Sequence, residues 1–136
     1  MTKTSTETLS VVVEREVPFP PEKIWRALTQ PHLLEEWLMK NDFKLAVDHR
    51  FQFRADWGSV DCQVMAVEPN KTLSYTWGAY GLGSVVTWTL TPTNSGTHLR
   101  MEHSGFRPEQ QQAYQGARAG WPRFLAALDE VLARID

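Results

Sequence analysis

Between residues 109 and 135, the side chains of Tyr114, Ala117, Trp121, Phe124, Leu125, Leu128 and Leu132 fall on one stripe at helical spacing. No other helical segment of the chain approaches that length. The stretch before it, from residue 43 onward, repeats with a period of two instead. "FQFRADW" places Phe51, Phe53, Ala55 and Trp57 on one face and Gln52, Arg54 and Asp56 on the other. "LSYTW" aligns Leu73, Tyr75 and Trp77, "SVVTWTL" aligns Val86, Trp88 and Leu90, and "HLRMEHSGF" aligns Leu99, Met101 and His103. An antiparallel sheet of this kind needs one face covered, and the final helix is the element long enough to do it. The chain is therefore expected to be an α+β protein, a sheet of about six to seven strands packed on its C-terminal helix.

The N-terminal third completes the order of elements. "LSVVVEREV", Leu9 to Val17, reads as a strand. In "PFPPEKIWRALTQPHLLEEWL" the period changes, with Pro21 suited to a first helical turn and Ile24, Trp25 and Leu28 at helical spacing. Pro31 disfavours a helical Gln30, so a second short helix is expected from about Pro31 to Leu38. Gly116, Gly120 and Pro122 weaken the long helix, and a kink is expected near Trp121. Turns fall at Gly58-Ser59, Pro69-Asn70 and "TNSG". Residues 1–8 are expected to be a flexible terminus and residues 9–136 a single domain.

Charge narrows the classes of function. Fourteen Lys and Arg against sixteen Asp and Glu leave a formal net charge of -2, with no basic run. That is no footprint for a nucleic-acid backbone, and there is no basic amphipathic helix for a membrane surface. No apolar run approaches the roughly 20 residues that span a bilayer. "MTKTSTETLS" lacks the apolar stretch of a signal peptide, and the single cysteine, Cys62, suits a reducing compartment. A cytoplasmic protein is expected.

Candidate chemistry is sparse. His103 and Ser104 adjoin in "EHSGF", but neighbours on a strand point to opposite faces, and no strand–turn–helix elbow surrounds the serine. A serine nucleophile is therefore not expected. His103 shares parity with Leu99 and Met101, so it faces whatever the apolar face encloses. Three readings stay open: a core histidine satisfied within the protein, a polar anchor in an apolar pocket, and a general acid–base role for which no partner is in view. The four histidines show no HxH or HExxH spacing, and neither a metal, a cofactor nor a catalytic set is expected. Cys62 reads as a small core residue. "WGAYGLGS" has three glycines but no following helix to hold a phosphate, and reads as a hairpin loop.

"PPEKIWRALTQPHLLEEWL", "LSYTW", "VTWTL", "HSGF" and "AGWPRFLAAL", taken in order, resemble the helix-grip fold of the START (SRPBCC) superfamily. More narrowly, the chain is similar to bacterial relatives of the C-terminal domain of the activator of the ninety-kilodalton heat-shock chaperone's ATPase. The resemblance implies a curved sheet gripping a long kinked C-terminal helix, with a cavity between them for an apolar or aromatic small molecule. The candidate lining is Trp37, Phe51, Phe53, Trp57, Trp77, Trp88, Met101, His103, Trp121 and Phe124. The same rings also suffice to fill a solid core. Tyr80 and Leu82, in the glycine-rich connection, would border the pocket entrance. Relatives commonly carry glycine in the turn before "RFQF", where this chain reads Val47-Asp48-His49.

A small-molecule binding protein is the leading expectation. The alternatives are a co-chaperone-like regulator of a heat-shock chaperone ATPase and a polyketide-cyclase-like enzyme. The enzyme is disfavoured because no acid–base pair is visible. Expected partners are the apolar ligand, with a chaperone or a second copy of the chain as alternatives, and neither nucleic acid nor membrane.

Overall fold

The computed structural model describes residues 8–78 and 83–135. A strand β1 (Leu9–Val17) leads into two short helices, α1 (Pro21–Thr29) and α2 (Pro31–Trp37). Six strands follow: β2 (Lys40–Asn41), β3 (Arg50–Ala55), β4 (Gly58–Glu68), β5 (Thr72–Trp77), β6 (Ser84–Thr93) and β7 (Gly96–Phe106). The long helix α3 (Gln111–Arg134) closes the chain. All seven strands form one antiparallel sheet in the order β1-β7-β6-β5-β4-β3-β2. The expected α+β architecture is the observed one.

Local chemistry explains the boundaries. Pro21 and Pro31 each open a helix, where a missing N–H is harmless, and Gln30 between them is extended (ψ 122°), as a residue before proline prefers. The turn at Val47-Asp48-His49 is made by Asp48 at φ 72°, and Asn70 turns the β4–β5 connection at φ 64°. Short polar side chains tolerate this left-handed conformation, so aspartate and asparagine serve at these turns without glycine. At Gly96 no substitute serves. A Cβ there would lie 2.1 Å from the Val17 carbonyl oxygen, because β7 starts against the end of β1.

Two bulges break the simple alternation. In β7, Ser104 faces Ser10 while Phe106 faces Leu9, leaving Gly105 (φ 99°) as the extra residue. Parity therefore flips, and Phe106 joins Leu99, Met101 and His103 on the inner face, all of them buried. In β4 the register shifts between Val64 and Ala66, so Ala66 is exposed and Val67 packs against the core, while Met65 stays outward, 51% exposed.

The inner face of the sheet and the last turns of α3 form one core. Trp121, Leu125, Leu128, Val131 and Leu132 are buried on the helix side, opposite Phe53, Leu73, Tyr75, Trp88, Leu99 and Met101. Ion pairs Arg15–Asp129 and Arg134–Glu36 tie the second half of α3 to β1 and α2. The helix is continuous through Pro122, which lacks the N–H for one rung of its ladder.

Candidate functional site

The two halves of α3 differ in bulk. From Trp121 onward its inward positions are large and reach the sheet. Before Trp121, with Tyr114 packed edge-on to Phe106 beside them, the positions that line the space are Ala113, Gly116, Ala117 and Gly120, spaced i, i+3, i+4, i+7. None is long enough to close the gap. A cavity of about 840 Å³ remains between this half-helix and the sheet. Trp57, Trp77, His103 and Phe106 wall it on the sheet side, with Met39 beside them and Trp121 and Phe124 at the far end of the helix face. Glu109, Gln110 and Gln112 stand at the helix start. Trp57 is 53% exposed and Gly116 is exposed, so the cavity opens to solvent along that side.

Gly116 is a spacer rather than a conformational necessity. A Cβ built on it meets nothing within 4 Å. Gly116→Ala is therefore expected to stabilise the protein by about 1 kcal/mol through helix propensity, raising the thermal midpoint by about 4 °C. A lowered midpoint would show that the helix needs glycine there.

His103 is the polar group set deepest in the wall, 2% exposed. Its hydrogen bonds define its tautomer. The Trp121 indole Nε1–H donates to Nδ1 at 3.0 Å, so Nδ1 carries no proton in the neutral ring. Nε2–H then donates to Ser84 Oγ at 2.8 Å, and the Ser84 hydroxyl donates onward to the Trp77 carbonyl oxygen at 2.7 Å. Phe106 and Trp77 pack on the ring, with centroids 4.5 and 5.5 Å away. Burial lowers the His103 pKa from 6.5 to about 4, because a charged ring here would lose its hydration. At neutral pH this is an uncharged histidine with both nitrogens engaged by protein groups. That is the arrangement of the satisfied core histidine, and it leaves neither nitrogen open to a ligand.

Of the ten candidate lining residues, Trp57, Trp77, His103, Trp121 and Phe124 border the cavity. Trp37, Phe51, Phe53, Trp88 and Met101 are buried and fill the core instead. Trp37 sits edge-on to Trp88, Trp88 edge-on to Trp121, and Trp121 against Trp77, so packed rings lead from the core to the cavity wall. Trp57 belongs to the β3–β4 turn rather than to a strand, which explains its exposure despite its inward parity. The reading from sequence missed Phe106, Ser84 and the small residues of α3. Gly105 was a signal for the first, since glycine inside a strand often marks a bulge.

Ser104 lies on the other face of β7 from His103. Cys62 is buried, and burial, with Asp61 and Asp42 nearby, pushes its thiol well above the ordinary range. Among the described residues no group of three His, Cys, Asp or Glu could hold a metal ion. His98 lies across the sheet from this site, between Glu14 and Glu16, which raise its pKa. Tyr80 and Leu82 fall outside the described residues. Among the described residues no helix is long and apolar enough to cross a membrane.

Comparison with solved structures agrees with this architecture. Protein MLL2253 from Mesorhizobium loti is 64% identical, with a TM-score of 0.91 over 94% of this chain and 99% of that one. Bacillus halodurans protein BH1534 is 27% identical, with a TM-score of 0.81 over 91% and 96%. The Aha1 dimer from Colwellia psychrerythraea, at 23% identity and a TM-score of 0.81 over 91% and 96%, shares the fold. A comparison with curated proteins finds no match. Residues 18–133, most of the chain, match the family described as activator of Hsp90 ATPase homolog 1-like protein. With a helix-grip sheet, a long closing helix and that match, the chain belongs to the activator of Hsp90 ATPase homolog 1-like family.

Proposed function

We propose that this chain is a cytoplasmic small-molecule binding protein that takes a flat apolar or aromatic ligand between the sheet and the first half of α3. The observation that supports this reading is the 840 Å³ space beneath Ala113, Gly116, Ala117 and Gly120, walled by aromatic rings. Its size and lining are those of ligand pockets in general. A catalyst would need a side chain free to move a proton. His103 has both nitrogens engaged, and the Glu109 carboxylate at the mouth is bound to Arg107.

The test uses the protein's own fluorophores, since Trp57, Trp77 and Trp121 all border the cavity. Titration with a panel of flat apolar compounds is expected to quench tryptophan emission saturably. Strictly linear quenching across the panel would contradict the reading.

The family's description favours a second reading, a regulator of a heat-shock chaperone ATPase. Stimulation of the purified chaperone's ATPase by this protein, unaffected by cavity ligands, would support it over the first. The Colwellia relative is a dimer. Homodimerisation is proposed for this chain on that likeness, and light scattering on a sizing column tests it.

A further inference from the structure

Among the described residues, one polar group on the inner wall of the cavity has no protein partner. Three buried indoles, those of Trp37, Trp88 and Trp121, donate to the Ala27 carbonyl, the Tyr75 hydroxyl and His103 respectively. Trp77 is 8% exposed, and its indole N–H donates to none of the described groups. It is not sealed away, because among the described residues no fully buried side-chain nitrogen or oxygen lacks a partner. The donor therefore borders open space. Phe53, His103 and Trp121 pack around the ring, and Trp77 is one of the residues that line the cavity.

The acceptors nearby are already used. His103 Nδ1 takes the Trp121 proton, and the Ser84 oxygen takes that of His103. Among the described residues, the inner wall thus offers a ligand one side-chain donor and no matching side-chain acceptor. Gln112, exposed at the mouth, remains in reach of water.

From this asymmetry we infer that the ligand is an uncharged ring system carrying a carbonyl-type oxygen, held by a hydrogen bond from Trp77 Nε1–H. The inference rests on the ligand-binding reading above and specifies its chemistry. An acceptor placed against the indole exchanges water for a protein partner. A hydroxyl can also accept there, but its own proton has no side-chain acceptor among the described residues of the inner wall, and an unmade buried hydrogen bond is unfavourable. A plain hydrocarbon leaves the indole N–H dry and unpartnered.

Fluorene, 9-fluorenone and 9-hydroxyfluorene share one tricyclic skeleton and differ at a single carbon, so they serve as probes. Calorimetric titration is expected to show fluorenone binding about tenfold tighter than fluorene, with hydroxyfluorene weaker than fluorenone. The Trp77 indole proton, identified by its loss from the Trp77→Phe spectrum, should move downfield with fluorenone and not with fluorene. Trp77→Phe should still bind fluorene and lose the preference for the ketone. Equal affinity for fluorene and fluorenone with an unmoved indole resonance would overturn the carbonyl inference while leaving the ligand-binding reading intact. The affinities for fluorene and fluorenone are compared in the wild type, so the test stands even where the variant folds poorly. Failure of all three probes to bind would overturn both.

Discussion

At pH 7 the His103→Leu protein is expected to be less stable than the wild type by about 2–3 kcal/mol, measured by urea denaturation. The change leaves the Trp121 indole N–H, on a residue 2% exposed, with no acceptor, and a buried unsatisfied donor costs about 1–3 kcal/mol. Ser84 still donates to the Trp77 carbonyl, so the break falls on the tryptophan side. The gap between the two proteins should also depend on pH, with a definite sign. The folded-state pKa is depressed from 6.5 to about 4, so between those values the unfolded chain binds a proton that the folded one refuses. Stability contributed by the neutral ring is complete above pH 6.5 and is lost as pH falls through 4, a change of about 3 kcal/mol. The advantage of wild type over variant should therefore shrink across that window. His98, whose pKa is raised, works in the opposite direction, but it is present in both proteins and cancels in the difference. A gap that is small at pH 7 and constant down to pH 4 would show that His103 is not held in this network.

Ala117→Trp is expected to abolish binding of flat apolar probes, weakening it a hundredfold or more, with little change in stability. Ala117 is half-buried on the cavity side of α3, so a large ring there occupies the space the ligand needs. The loss of helix propensity is below about 1 kcal/mol. Far-ultraviolet circular dichroism and the denaturation midpoint confirm that the fold survives. Undiminished binding in a folded variant would place the ligand somewhere other than beneath α3.

Strand parity read from the sequence was sound where the strands are regular. Leu99, Met101 and His103 share inward parity, and they are buried together. Parity failed at Gly105, because a bulge shifts every later residue to the other face, and so Phe106 went unnoticed. It failed differently at Trp57, which has inward parity but lies beyond the end of β3, where the turn carries it to the mouth. Ser84 could not be read as the partner of His103, since that depends on how β6 and β7 are registered, Val86 opposite His103.

The division of the aromatic residues into core and cavity wall was hidden for a related reason. Alternation reports which face a side chain occupies and not what stands across from it. What stands across is decided by α3, where bulky Leu125 and Leu128 meet the sheet while Gly116 and Gly120 leave a gap. Those two glycines looked like weaknesses in a helix. They are better understood as the means by which a packed core gives way to an open space.

The central claim is that this space holds a small molecule, and native mass spectrometry of freshly purified wild type and Ala117→Trp, run side by side, tests it most directly. The account predicts a wild-type population heavier than the bare chain by the mass of one small molecule, released on denaturation and absent from the variant. An identical spectrum for the two proteins, with no such adduct in the wild type or the same adduct on both, would contradict it.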